Sequence, residues 1–199
     1  TVYLASVFLC SIAESMGEAG YGKPIALMVP VNLRKYYDSK SMANFFGWME
    51  IEYCFKPSAT FGQVAAHVKE RFAQDLKKEQ VALRMNRLVR AERNPVLAAV
   101  PLGVKNFFLR IGAWVGSRNV TAVFSNLGPV VMPDAYQPYI EGFGVYASTD
   151  RLQGCACSYG EKFYFSITTK YADTKIPALV EAFLRRQGID VSGYRQGMG

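Results

Sequence analysis

Residues 120–129 read VTAVFSNLGP. The first half of this stretch is rich in β-branched and aromatic residues, which favour a strand, and the second half contains Asn, Gly and Pro, which are typical of a turn. We therefore predict a strand over residues 120–125 that ends in a turn over residues 126–129. A serine, Ser125, stands at the junction.

The region before this strand has helical patterns. Apolar residues recur at steps of three and four from Phe61 to Leu76, and Ser58 or Thr60 can cap this helix. A second helix is predicted over residues 78–93, and a third runs from Pro101 to Gly116. The middle third of the chain is therefore predicted to be all α.

Strand patterns flank this helical region. Apolar and aromatic runs predict strands over residues 24–33, 45–55 and 140–147, and residues 155–171 predict a hairpin that turns near Gly160. Amphipathic patterns predict a first helix over residues 2–15 and a last helix over residues 175–186. Because no regular βαβα repeat occurs, this order predicts an α+β fold with helices on one face of a mixed sheet.

Composition indicates one globular unit. The chain has 199 residues, of which 50% are hydrophobic and 20% charged, so we expect one domain over residues 1–199. Its apolar runs are shorter than the roughly 20 residues of a membrane helix, so no membrane span is predicted. The first residue is Thr and no secretory cleavage pattern follows, which suggests a fragment of a longer protein.

Charge and cysteine content narrow the function classes. The net charge of +7 suits an anionic partner, but the basic residues are scattered over residues 69–118 without a basic run, so nucleic-acid binding is not expected. The four cysteines, Cys10, Cys54, Cys155 and Cys157, lack metal-site spacing and disulfide density. Because Cys155 and Cys157 point to the same face of a predicted strand, we expect both to be buried or half-buried thiols. We also expect no metal site and a cytoplasmic location.

Few residues offer catalytic chemistry. His67 is the only histidine, and it has no evident Ser, Cys or carboxylate partner in the sequence, so a structural imidazole is expected rather than a general base. A serine at a strand end, followed by Gly and Pro, can direct one hydrogen-bond donor into a cleft. The alternative is a serine that caps a turn.

Two motifs resemble known acyltransferases. FSNLGPV, at residues 124–130, resembles a segment of the dihydrolipoamide acyltransferases, which are relatives of chloramphenicol acetyltransferase. PVNLR at residues 30–34, with NFFG at residues 44–47, is similar to motifs of condensation-type acyltransferases, a group that includes alcohol acetyltransferases. The motifs follow the order found in the second half of such two-domain proteins.

The resemblance implies a fold and a set of roles. It implies a chloramphenicol acetyltransferase-like two-layer sandwich, with Ser125 as the donor to the oxyanion, Asn126 and Gly128 beside the substrate, and Arg34 and Asn44 as structural motif residues. It also implies an acyl-coenzyme A or acyl-carrier substrate, a small-molecule acceptor and no tightly bound cofactor.

One departure limits this interpretation. The H-H-x-x-x-D-G motif, which supplies the general base in the family, is absent from these 199 residues, so the resemblance implies that an N-terminal half of the same protein carries it. The chain alone is then expected to be inactive. The alternative function is a non-catalytic binding or assembly module of the same fold, and a basic nucleic-acid binder is the third possibility.

Overall fold

A computed structural model describes residues 1–40, 42, 45–93, 100–147, 150–170 and 175–193. Within these residues the helices are α1 Val2–Met16, α2 Phe61–Asp75, α3 Lys78–Glu92, α4 Leu102–Asn119 and α5 Ile176–Arg186. The strands are β1 Pro24–Asn32, β2 Phe46–Cys54, β3 Ala122–Pro129, β4 Leu152–Tyr159 and β5 Lys162–Thr168. They form a five-stranded sheet in the order β2-β1-β3-β4-β5.

The sheet is mixed, as the sequence predicts. The central strand β3 runs parallel to both β1 and β4, whereas β2 and β5 pair antiparallel at the two edges. A two-residue turn joins β4 to the edge strand β5, whereas residues 33–45 connect β1 to the edge strand β2. Strand β1 reaches β3 only through β2 and the helices α2, α3 and α4. This arrangement confirms the predicted α+β fold.

Helix α1 covers the middle of the sheet. The Phe8 ring of α1 lies with its centroid 6.3 Å from that of Phe124 on β3 and 5.8 Å from that of Phe165 on β5. Phe8 and Phe124 are both fully buried. Helices α2 and α5 flank α1 and meet through Phe61 and Phe183, whose ring centroids are 4.9 Å apart. Burial of these aromatic rings supplies much of the favourable free energy of the core.

On the opposite face of the sheet, no helix of the described residues covers β2, where Phe46 and Trp48 are 55% and 44% exposed. We call this side, which also carries Val123 and Ser125, the open face. Over β4 and β5 it is covered by the segment 140–147, because the Cys157 thiol donates to the Phe143 carbonyl at 3.3 Å and the Thr168 hydroxyl to the Ala147 carbonyl at 2.8 Å. One face covered by helices and one partly exposed face confirm the predicted layering.

Two predicted elements differ from the structure. Strand β3 does not end at Ser125 but continues to Pro129, because the expected turn is a bulge within the strand. The segment 140–147 is not a strand, because its described carbonyls accept hydrogen bonds from side chains of β4 and β5 instead of joining a ladder.

Helix boundaries follow their capping residues. Thr60, rather than Ser58, begins α2, since its hydroxyl accepts from the Gln63 backbone N–H and the Gln63 side chain accepts from the Thr60 N–H. Helix α4 continues three residues beyond the predicted end, to Asn119. Helix α5 ends with Arg185 and Arg186, whose charges complement the helix dipole.

The first helical stretch is longer than the apolar run from which no membrane span was predicted. Residues Val2–Gly20 form a helical stretch of 19 residues with a mean hydropathy of 1.2, which is long and apolar enough to cross a membrane. The core helix of a globular protein meets the same criterion, and here Ala5, Phe8, Leu9 and Ile12 are at most 2% exposed because they pack in the core. Its apolar character is therefore accounted for by the fold.

Helix α4 is the most exposed apolar element among those described. Phe107, Phe108 and Leu109 are 60%, 64% and 62% exposed. Large exposed apolar patches on proteins commonly mark sites of contact with another protein or a membrane.

The core arrangement makes a direct prediction about stability. Replacing Phe124 by Ala removes a fully buried ring that contacts α1 and β5, so the free energy of unfolding is expected to fall by about 3–5 kcal/mol in urea titrations. Phe163→Ala on the exposed end of β5 is the matched control, with an expected loss below about 1 kcal/mol. Equal losses in the two variants would contradict the proposed core.

Candidate functional site

Ser125 lies on the open face of the central strand. Side chains alternate along a strand, so the burial of Ala122 and Phe124 toward α1 directs Val123 and Ser125 to the other side. Ser125 is half-buried, and within the described part of the chain its hydroxyl takes part in no hydrogen bond. It pairs with Cys155 of β4. A hydroxyl in this position is available to a group bound on the open face.

Asn126 and Gly128 form the bulge that follows Ser125. The register between β3 and β4 shifts between these two residues, and Gly128 has a φ of 78°, which non-glycine residues rarely adopt. The Asn126 side chain stabilises the bulge, since its oxygen accepts from the Gly128 N–H at 3.0 Å. Its amide nitrogen donates to the Thr1 hydroxyl at 2.7 Å. Asn126 therefore joins the bulge to the start of α1.

The hydrogen-bonded ladder between β1 and β3 ends before Ser125, and we call the unpaired stretch beyond it the gap. The parallel pairing ends at Met28 and Val123, so the described ladder leaves Ser125 bonded on the β4 side only. Continued by two residues, the same register would place Pro30 opposite Ser125. Ala26 shows which β1 residues face β3, because its carbonyl accepts from the Thr121 N–H at 2.8 Å. Pro30 faces the same way but has no N–H, so it cannot extend the ladder.

The PVNLR motif, residues 30–34, positions the end of β1. The Asn32 side chain accepts from the Arg34 N–H at 3.0 Å and begins a short 3-10 turn, Leu33–Lys35. Leu33 is 2% exposed and packs against Gly47 of the NFFG motif, residues 44–47. Arg34 is exposed. Asn44, the other predicted motif residue, lies outside the described residues. The PVNLR and NFFG motifs therefore meet through Leu33 and Gly47.

His67 lies on the helix-covered side of the sheet. Its Nε2 is 2.9 Å from the Glu52 carbonyl oxygen, and its ring makes an edge contact with Tyr53 at a centroid distance of 5.3 Å. Ser125 is on the opposite face and on a strand two positions away from β2. The imidazole therefore joins α2 to β2 and is not placed to take a proton from a group beside Ser125.

Burial disfavours the thiolate form of two cysteines, Cys157 and Cys10. Burial raises the pKa of Cys157, and the neighbouring Cys155 raises it further. Burial, reinforced by the charge of Glu14, raises the pKa of Cys10 to about 11. Both thiols are therefore protonated at neutral pH. Cys155 and Cys157 are both buried, as predicted, whereas Cys54 is exposed. Among the described residues, no group of His, Cys, Asp and Glu side chains could hold a metal ion.

Two residues near Ser125 were given no role by the sequence analysis. Pro30 creates the gap beside Ser125, and the only sequence signal was a proline within an otherwise apolar strand pattern. Gln153 is a buried polar residue of β4, and its amide donates to the Cys155 sulfur at 3.4 Å. Nothing in a single sequence distinguishes this glutamine from an exposed one.

Solved structures share this architecture. The chain is similar to polyketide synthase associated protein 5 from Mycobacterium tuberculosis, with a TM-score of 0.53, 11% identity, and coverage of 92% of this chain and 43% of that one. It is also similar to the protein in the structure described as "Molecular basis for condensation domain-mediated chain release from the enacyloxin polyketide synthase", with a TM-score of 0.51 and 15% identity. That match covers 99% of this chain and 38% of the other. The fold of this chain is therefore of the condensation-domain type.

The similarity is one of structure. The sequence matches no protein-family model and no curated protein at a significant level. The chain spans about two fifths of the length of both solved structures. A condensation-type fold agrees with the α+β sandwich that the two sequence motifs implied.

The gap beside Ser125 can be tested through Pro30. In Pro30→Val the new N–H faces β3, so the ladder between β1 and β3 is expected to extend toward Ser125. Hydrogen exchange followed by NMR should then show a protected amide at position 30. Val31→Ala, one residue along β1, is a control that changes no N–H. An amide at position 30 that exchanges as fast as that of an open loop would contradict this explanation of the gap.

Proposed function

We propose that the chain is the C-terminal half of an acyltransferase that takes an acyl group from a coenzyme A or carrier-protein thioester. The observation that carries this proposal is the half-buried Ser125 hydroxyl on the open face, beside the gap between β1 and β3. A fold of the condensation type supports it. The acceptor is a small alcohol, amine or thiol.

In the proposed reaction the acceptor attacks the thioester carbonyl. A base removes the proton of the acceptor as its heteroatom bonds to the carbonyl carbon, and the carbonyl oxygen becomes an oxyanion. The Ser125 hydroxyl donates a hydrogen bond to that oxyanion. When the tetrahedral intermediate collapses, the carbon–sulfur bond breaks and the thiolate takes up the proton. Asn126 and Gly128 act indirectly, because the bulge that they form holds Ser125 at the gap.

The base is proposed to come from another part of a longer protein. His67 is on the wrong face, and it is the only histidine of the chain. The exposed rings of Phe46 and Trp48 on the open face provide apolar surface for such a partner. A partner on this surface closes a cleft over Ser125 and excludes water, which strengthens a hydrogen bond to the oxyanion.

Charge and redox state agree with the proposed substrate and location. The net charge of +7 favours an anionic donor such as coenzyme A over a neutral one. All four cysteines are free thiols, which suits a reducing cytoplasm. No tightly bound cofactor is required by the proposed chemistry.

Ser125→Ala tests the proposal in the longer protein that it requires. Loss of one oxyanion donor is expected to lower kcat about 10²-fold, or about 2.7 kcal/mol, with little change in Tm. Thiol release from acyl-coenzyme A, assayed with a panel of small acceptors, measures turnover. Ser166→Ala is the matched control, since Ser166 is a half-buried serine of β5 that pairs with Cys155 on the same face. We expect it to retain full turnover.

Three outcomes would contradict the proposal. A stability loss of about 1 kcal/mol with unchanged kcat would mean that Ser125 only supports the bulge. Thioester consumption by the 199-residue chain alone, abolished by His67→Ala, would mean that catalysis needs no second half. A longer protein that binds carrier proteins but shows no turnover with any acceptor would favour an assembly module.

A further inference from the structure

A second concave site lies between α3 and the ends of β1 and β2. It has a volume of about 220 Å³, and Val31, Leu33, Val81 and Met85 form its apolar wall. Val31 packs against the core under the helices, so this pocket is on the helix-covered side of the sheet. Ser125 is on the open face. The pocket is therefore separate from the site proposed above.

Arg84 forms a fixed side of this pocket. Its guanidinium donates to the Trp48 carbonyl at 3.0 Å and also to the backbone carbonyl of Asp75. The Asp75 carboxylate lies 3.7 Å from the same guanidinium and 3.3 Å from that of Arg71. These contacts join the end of α2, helix α3 and strand β2. The pocket wall is therefore held by three elements of the fold.

Arg87 lines the same pocket one helical turn beyond Arg84. It is exposed, and within the described residues it has no carboxylate or other polar partner. The lining then holds two guanidinium groups, Arg84 and Arg87, and one carboxylate, Asp75. The Asp75 charge is already shared with Arg71 and Arg84, so Arg87 gives the mouth of the pocket an excess positive charge.

The size of the pocket limits its ligand. A cavity of about 150 Å³ lined by apolar side chains can hold benzene, so a pocket of about 220 Å³ holds a somewhat longer group. At about 30 Å³ for each group of the size of a water molecule, it has room for roughly seven methylene-sized groups. An apolar wall with one unpaired cation at the mouth suits an aliphatic tail that ends in an anion.

We propose that this pocket binds a medium-chain aliphatic carboxylate. The tail packs against Val81 and Met85, and the carboxylate lies at Arg87. The pocket is formed by residues of this chain alone, so the proposal does not depend on Ser125 or on a second half.

Binding can be measured on the purified chain by isothermal titration calorimetry with hexanoate, octanoate and decanoate. Each methylene that enters the pocket is expected to lower Kd about fourfold, so octanoate should bind about sixteenfold more tightly than hexanoate. Decanoate should gain less than about twofold over octanoate, because the pocket is then full. Octylamine should not bind. Octan-1-ol should bind more weakly than octanoate.

Variants separate the tail site from the head site. Arg87→Gln is expected to weaken octanoate binding about fivefold and to leave octan-1-ol binding unchanged, because only the carboxylate uses the charge. Met85→Trp fills the pocket and should abolish binding of both ligands. Arg90→Gln, an exposed arginine of α3 outside the lining, is the matched control and should bind octanoate normally. Thermal melts establish that each variant is folded.

Three results would overturn the proposal. The first is the absence of saturable octanoate binding by the folded chain. The second is affinity that still rises about fourfold per methylene from octanoate to decanoate, which indicates adsorption on exposed apolar surface such as α4. The third is normal octanoate binding by folded Met85→Trp.

Discussion

The structure depends on the packing of helix α1 against one face of the central strand. Phe8 lies against Phe124 and Phe165, and helices α2 and α5 both pack against α1. Strand geometry turns this packing into a functional constraint, because a strand that buries Phe124 on one side must present Ser125 on the other. The core and the candidate site thus lie on opposite faces of β3. Because Phe124 and Ser125 are adjacent in the sequence, their side chains point to these opposite faces.

The surroundings of Ser125 are set by backbone chemistry. Pro30 lacks the N–H that would extend the ladder between β1 and β3, and the Asn126–Gly128 bulge shifts the register on the β4 side. Here the strand is paired on one side only at this level, and the Asn126 amide ties the bulge to Thr1. The PVNLR and FSNLGPV motifs therefore both shape the backbone beside Ser125.

Sequence reasoning predicted the elements better than their ends. Hydrophobic periodicity placed the five described helices and the strands β1, β2, β4 and β5 close to their observed ranges, since each has one face buried in the core. It was wrong at residues 126–129, where Asn and Gly form a bulge rather than a turn, because both structures use the same residue types. It was also wrong at residues 140–147, whose hydrogen bonds go to side chains that are distant in sequence. The role of Pro30 depends on strand register, which the sequence does not define.

The most direct test of the proposed function is a crystal structure of the longer protein with a bound tetrahedral mimic of the acyl-transfer intermediate, such as a phosphonate analogue of the acyl donor. We expect the mimic on the open face, with an anionic oxygen about 2.7–3.1 Å from the Ser125 hydroxyl and the gap between β1 and β3 still open. A mimic bound away from β3, or a Ser125 hydroxyl covered by other parts of the protein, would contradict the account.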